Sequence, residues 1–152
     1  MKIVPFHPKH APAFYHLNIE WLETYFYVEA FDKEVLSAPE KYIIEPGGHI
    51  FFVIEEDLVV GTVALMKARD GVFELTKMAV LPNERGKGIG QALVKYCIDF
   101  AYKNSFNKLL LYSNTELENA LYIYRKFGFV EIPVEDNCPY ERSDIKMEVP
   151  LS

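Results

Sequence analysis

Cysteine is scarce in this chain: among 152 residues only Cys97 and Cys138 carry a thiol. Two are too few for the disulfide framework that staples small secreted domains together. Basic charge is also in deficit. Sixteen lysines and arginines face 22 acidic residues, a net charge of −6, and this argues against the broad cationic surface that binds nucleic acid. Long hydrophobic runs are missing. No stretch approaches the roughly 20 apolar residues of a membrane span, and the opening Met1-Lys2-Ile3-Val4-Pro5-Phe6 lacks the apolar core of a signal peptide. His7, His10 and His16 have no carboxylates at the spacing of a metal site. There is no internal repeat, low-complexity tract or linker. The expectation is one domain over residues 1–152 in the cytoplasm, with no metal, nucleic acid or membrane as partner.

What is present is a globular pattern long enough to bury a core. Met1–Phe6 reads as a short strand. His10 to about Glu29 reads as a helix dense in aromatics, and a second helical piece follows Asp32 and stops near Pro39. Ile50–Ile54 and Leu58–Leu65 are β-branched runs around Glu55-Glu56-Asp57, the pattern of a hairpin. Val72–Val80 is the next strand. Ile89, Leu93, Cys97 and Ala101 recur every four residues and predict an amphipathic helix. Leu109–Tyr112 is a buried strand. Leu117, Ala120, Tyr124 and Phe127 form one face of a last helix capped by Gly128. Phe129–Ile132 and Ile145–Val149 complete the strands. The order β-α-α-β-β-β-α-β-α-β-β is a mixed α/β domain, without the strict alternation of a doubly wound sheet.

Chemistry concentrates in Arg85-Gly86-Lys87-Gly88-Ile89-Gly90-Gln91, between a strand and a helix. Glycines allow a sharp turn and close approach of a ligand. The unpaired N–H groups of a helix start suit a phosphate or pyrophosphate, and Arg85 and Lys87 add charge. A P-loop requires Ser or Thr after Gly-Lys, where this chain has Gly88. A dinucleotide fingerprint requires a third glycine where this chain has Gln91, and an acidic residue where it has Leu109–Leu111.

The run Phe73-Glu74-Leu75-Thr76-Lys77-Met78-Ala79-Val80-Leu81-Pro82, followed by Arg85, Gly88 and Gly90, closely resembles the signature of the GNAT acetyltransferase superfamily. A second block, Ala120-Leu121-Tyr122-Ile123-Tyr124-Arg125-Lys126-Phe127-Gly128-Phe129, matches the same family. With the hairpin before them the two blocks span roughly Ile50–Ile132. The resemblance implies a central mixed, mostly antiparallel sheet of about seven strands flanked by about four helices. It also implies acetyl-CoA as co-substrate, held by Arg85, Gly86, Lys87, Gly88, Ile89, Gly90 and Gln91 and by the backbone of Met78 and Val80. Many members place an asparagine where this chain has Leu117, so Asn114 and Asn119 on either side are both candidates for the pantetheine arm.

Acetyl transfer to an amine asks for a base, because a lysine-like amine with a pKa of about 10.4 is mostly ammonium at neutral pH. Glu74 matches the position of the family's glutamate, and burial beside Phe73 and Leu75 would raise its pKa toward a useful range. Tyr124 is the candidate acid for the departing thiolate; its spacing also fits a core aromatic. Cys97 falls on an apolar helix face, so direct transfer in a ternary complex is expected in place of an acyl-cysteine. Trp21 and Tyr25 offer aromatic faces to a cation, and Glu29, four residues after Tyr25 on the expected helix, would pair with it. The acceptor is expected to be a primary amine of a small molecule, amino acid or peptide. Acetylation of a protein N-terminus or lysine, and an acyl-CoA sensor without turnover, are the alternatives. The oligomeric state, including a homodimer, stays open.

Overall fold

The computed structural model describes residues 1–151. Seven strands form one sheet: β1 (Lys2–Pro5), β2 (His49–Glu55), β3 (Leu58–Arg69), β4 (Val72–Val80), β5 (Lys108–Ser113), β6 (Val130–Ile132) and β7 (Ile145–Pro150). Their spatial order is β1-β2-β3-β4-β5-β7-β6. Every neighbouring pair is antiparallel except β4 and β5, which are parallel. The helices are α1 (Ala11–Tyr25), α2 (Ala30–Ser37), α3 (Ile89–Lys103) and α4 (Glu118–Lys126). This is the mixed, mostly antiparallel architecture that the sequence implied.

Strand alternation distributes the core over two layers. Phe51 and Val53 of β2, with Val63 and Leu65 of β3, meet the buried stripe of α3: Ile89, Leu93, Val94, Cys97 and Ala101. Their neighbours Ile50, Phe52 and Ala64 point to the opposite face and pack under Phe14 and Leu22 of α1 and Val35 and Leu36 of α2. A side-chain period of two makes this partition obligatory, and each buried Val, Leu, Ile or Phe contributes about 1.5–3 kcal/mol. Cys97, wholly buried, is a packing residue whose thiol is pushed up by desolvation. The β2–β3 turn has positive φ at both Glu56 and Asp57 (48° and 67°), the conformation whose twist suits a two-residue hairpin. After α4, Gly128 N–H bonds the Arg125 carbonyl and Phe129 N–H the Tyr124 carbonyl, the paired closure expected of a glycine cap.

Two expectations at the N-terminal end are corrected. The aromatic helix ends at Tyr25, not Glu29, and Phe26 leaves helical geometry (φ −145°, ψ −127°). The run Tyr25-Phe26-Tyr27-Val28 consists of side chains that lose rotamer freedom in a helix. Glu29 is extended and immediately precedes α2, and its backbone N–H donates to Asp32 at 3.1 Å. Tyr25 and Glu29 therefore do not share a helix face. α2 correspondingly begins ahead of Asp32. A wide helical turn at Glu40–Ile44, closed by Glu45 N–H on the Glu40 carbonyl, fills a stretch that the sequence reading left as connection.

Two irregularities of β4 create the site. Thr62 pairs with Ala79 and Ala64 with Thr76, so Lys77 and Met78 of β4 oppose the single Val63 of β3: a bulge. It is centred on Lys77, whose φ is +55°, a left-handed conformation that costs a non-glycine residue about 1–3 kcal/mol. The bulge inverts the alternation. Before it, Phe73 and Leu75 face the α3 layer; after it, Met78 and Val80 do. The second irregularity is a parting of strands. β4 pairs with β5 only over Val72–Glu74 against Lys108–Leu110, while β5 follows β7 as far as Ser113. Beyond Glu74 the sheet opens.

Candidate functional site

That opening is a cleft of about 750 Å³. Its walls are the free end of β4 from Leu75 to Val80, the glycine loop, the end of β5, and the start of α4; Trp21, Tyr25 and Phe26 close it from the α1 side. Leu81 N–H donates to the Val60 carbonyl on β3 at 2.8 Å. Alternation then turns the N–H and C=O of Val80 to the opposite edge, toward the gap. The cleft has as one rim a strand edge with no neighbouring strand.

At one end, Gly86 and Gly88 adopt φ of +80° and +86°. A methyl group built at Gly86, Gly88 or Gly90 would meet no atom within 4 Å. The loop is thus glycine-rich by backbone conformation and leaves an open concavity, not a packed one. Ile89, Gly90 and Gln91 form the first turn of α3, whose N–H groups have no intrahelical acceptor and favour an anion. Arg85 does not aim at this concavity. Its Nε donates to the Val80 carbonyl at 3.1 Å, its guanidinium pairs with Glu20, and it lies 5.4 Å from the Tyr25 ring centre. Arg85 therefore fastens the loop to α1. Lys87 pairs with Glu84 at the surface, outside the lining. Lys126 reaches Gln91 at 3.0 Å and joins the end of α4 to the start of α3. Gly88→Val is expected to weaken acetyl-CoA binding at least about tenfold, since a β-branched residue is a genuine outlier at positive φ. Titration calorimetry on the folded variant measures it; unchanged affinity would remove the loop from the binding site.

The two asparagines separate. Asn114 lines the cleft with both ends of its amide engaged, donating to the Arg142 carbonyl at 2.7 Å and accepting from Glu116 N–H at 2.8 Å. Asn119, also in the lining, has no such bonds and is the one free to meet a ligand.

Tyr124 is 8 % exposed, with its ring against Phe129. It is both the core aromatic and the cleft residue that its sequence position allowed. No side chain accepts or donates at its hydroxyl, yet no buried side-chain polar atom among the described residues lacks a partner. The hydroxyl opens into the cleft. Burial pushes its pKa up to about 12, so it holds its proton at neutral pH.

Glu74 belongs to a charged cluster on the other face of the sheet, beneath α1 and α2. Tyr140 Oη donates to Glu74 Oε2 at 3.0 Å. Lys77 Nζ lies 3.4 Å from the same hydroxyl and 3.5 Å from Asp32 Oδ1. Arg142 forms a two-pronged pair with Asp32 at 2.6 and 2.9 Å and reaches Glu29 at 2.8 Å. The bulge makes this possible: Thr76 and Lys77 are consecutive, yet Thr76 Oγ1 also lies 3.4 Å from Tyr140 Oη. Desolvation raises the Glu74 pKa and lowers that of Lys77. Desolvation would raise Asp32 too, but the Arg142 hydrogen bonds and the Lys77 charge outweigh it and hold Asp32 below the usual carboxylate range.

Of the residues selected from sequence, Trp21, Tyr25, Met78, Val80, Arg85, Gly86, Gly88, Ile89, Gly90, Gln91, Asn114, Asn119 and Tyr124 line one cleft. Lys87, Glu74 and Glu29 do not. Glu29 already has its partner in Arg142, so the argument that it awaits an amine fails. Sequence reasoning missed Lys77, Asp32, Tyr140 and Arg142. Lys77 carried a signal, a cation in the midst of an otherwise core-forming strand that must find an anion when buried. Tyr140 and Arg142 lie in the irregular segment between β6 and β7, where no periodicity marks them. No helix among the described residues is long and apolar enough to cross a membrane.

Comparisons with known proteins bear on the family and the fold. The model of the acetyltransferase (GNAT) family matches residues 14–129. The N-acetylaspartate synthetase of Xenopus tropicalis is 33% identical over 97 residues, covering 63% of this chain and 36% of that protein. The chain spans about a third of the length of the curated relatives it first matches. The structure of a GNAT-family acetyltransferase from Staphylococcus aureus Mu50 superposes with a TM-score of 0.88 at 19% identity, over 99% of both chains. That of spermidine N-acetyltransferase from Vibrio cholerae, in complex with CoA and spermine, gives 0.75 at 18% identity, over 99% of this chain and 95% of that one.

Proposed function

We propose that this chain, which belongs to the acetyltransferase (GNAT) family, is an N-acetyltransferase that moves an acetyl group from acetyl-CoA to the primary amine of a small molecule, amino acid or peptide. One observation carries the reading. The parting of β4 and β5 opens a cleft lined by Tyr124 on the α4 side and by Tyr140, whose hydroxyl bonds Glu74, under α1 and α2; in this reading Glu74 is the proton acceptor behind Tyr140 and Tyr124 the proton donor. Direct transfer requires that arrangement: deprotonation where the amine arrives and protonation where the thiolate leaves.

The residues fit the coenzyme. The open concavity at Gly86–Gly90 and the first turn of α3 suit its pyrophosphate. The exposed edge of β4 at Val80, with Met78 and Asn119, suits the amide-bearing pantetheine arm. Acetyl-CoA supplies the activated thioester. Trp21 and Tyr25 wall the acceptor side, and the Tyr25 ring, already stacked by Arg85, shapes that wall more than it offers a cation site. The names of the relatives and neighbours make L-aspartate and spermidine reasonable first acceptors.

The test is thiol release from acetyl-CoA against a panel containing L-aspartate, spermidine, free amino acids and short peptides with and without lysine. Turnover of a small amine is the expected result. Tight coenzyme binding without thiol release from any acceptor would make the chain a sensor. Tyr124→Phe should keep the fold, because the ring still packs on Phe129, and should lower kcat about 10–100-fold by deleting one proton donor. If the loss appears only in KM for acetyl-CoA, Tyr124 binds and does not donate.

A further inference from the structure

Glu74 is not among the residues that line the cleft, whereas Thr76, Lys77 and Tyr140 are. An amine held at the β4 end of the cleft thus faces the Tyr140 hydroxyl and the Lys77 side chain before the Glu74 carboxylate. The Tyr140 oxygen stands 3.0 Å from Glu74 Oε2 and 3.4 Å from both Lys77 Nζ and Thr76 Oγ1. Its position is held from several sides. Lys77 lies 4.6 Å and Arg142 4.9 Å from the centre of its ring, Tyr112 of β5 packs edge-on against it, and Cys138 Sγ bonds its carbonyl. Arg142, two residues on, is anchored by Asp32 of α2.

Building on the acetyl-transfer reading, we propose that the Tyr140 hydroxyl carries the acceptor's proton from the cleft to Glu74, so that Tyr140 is the catalytic residue that meets the amine. The ammonium's N–H bond breaks as its proton passes to the Tyr140 oxygen, while the Tyr140 O–H bond breaks toward Glu74 Oε2. Tyr140 ends unchanged, Glu74 ends protonated, and the amine keeps the electron pair with which it attacks the thioester carbonyl. Glu74 then returns the proton to solvent. Lys77 serves this transfer by placing positive charge beside an oxygen that passes through partial phenolate character. The ionisable groups around the pair are Lys77 of β4, Asp32 of α2, Arg142 of the β6–β7 segment, Tyr112 of β5 and Lys146 of β7.

Tyr140→Phe retains the ring and its packing and removes the relay. With an acceptor that turns over in the amine panel, kcat at neutral pH should fall about 100-fold, the lower part of the range for a proton-transfer group because water partly substitutes. KM for acetyl-CoA should stay within about threefold, as binding is not the step affected. The double variant Tyr140→Phe/Glu74→Gln should be no slower than Glu74→Gln alone, because two members of one chain cannot be lost twice. 3-Fluorotyrosine at position 140 keeps size and hydroxyl but donates more strongly to Glu74, and should move the acidic limb of the pH–rate profile to lower pH. A role confined to ring packing would leave that limb in place. Wild-type kcat in Tyr140→Phe, multiplicative losses in the double variant, or an unmoved limb would each overturn the relay while acetyl transfer stands. Absence of thiol release by the wild-type protein with every amine would overturn both.

Discussion

Glu74→Gln is expected to lower kcat at neutral pH by about 100- to 10,000-fold, the usual contribution of a general base. The amide is the same size, and it still accepts the Tyr140 hydrogen bond, so cleft and coenzyme affinity are preserved. What is lost is the capacity to take a proton. Desolvation raises the carboxyl pKa and outweighs the neighbouring Lys77 charge, which places its titration above the ordinary carboxylate range and nearer the working pH. The wild-type rate should therefore rise with pH through that raised value as the base ionises. The variant should lack this limb and depend instead on the pre-existing free amine. Rates equal to wild type across the pH range would reduce Glu74 to a strand residue.

Asp32→Ala is expected to have the largest effect on stability. Asp32 is wholly buried and answers two cations, Lys77 at 3.5 Å and Arg142 through both guanidinium nitrogens. It also receives the backbone N–H that opens α2. Removing one partner of a buried ion pair typically costs about 3–5 kcal/mol, mostly because the remaining charge has no answer. The denaturant midpoint should drop accordingly with an unchanged slope. The sign of the pH dependence follows from the depressed Asp32 pKa. Its stabilisation is present above the ordinary carboxylate pKa and is lost as pH falls through the depressed value. Acid should thus destabilise the wild type more steeply than the variant. An unfolding free energy within about 0.5 kcal/mol of wild type, the range of ordinary surface changes, would mean that Lys77 and Arg142 find water instead.

The two effects differ in how far the sequence announced them. The glycine loop stood out as a run of glycines and cations at a helix start, whereas Glu74 and Tyr124 were singled out by the resemblance of their segments to the GNAT family, since strand alternation and helix spacing fit an ordinary strand glutamate and a core aromatic equally well. The strand Val72–Val80 was legible to the residue. The bulge within it was not, since a bulge is an accommodation between two strands, and only pairing with β3 reveals the extra residue. Glu29 failed for a related reason. Its placement assumed that a helix persists through Tyr25-Phe26-Tyr27-Val28, and the true partner, Arg142, lies 113 positions away in sequence. Apart from the local Glu29 N–H bond, the cluster around Asp32 is assembled from such distant pairs. Local patterns carry no trace of them beyond the bare fact that a lysine sits in a core strand.

The inverted alternation at Lys77 divides β4 into two stretches with separate duties. Upstream, Glu74 and Thr76 look toward α1 and α2; downstream, Met78 and Val80 look toward α3 and present backbone to the gap. Under the proposed acetyl transfer, the first stretch bears on the acceptor side of the cleft and the second on the coenzyme side. The strand is thus two parts of opposite facing joined at one strained residue, and a side chain exchanged in one leaves the orientation of the other unchanged.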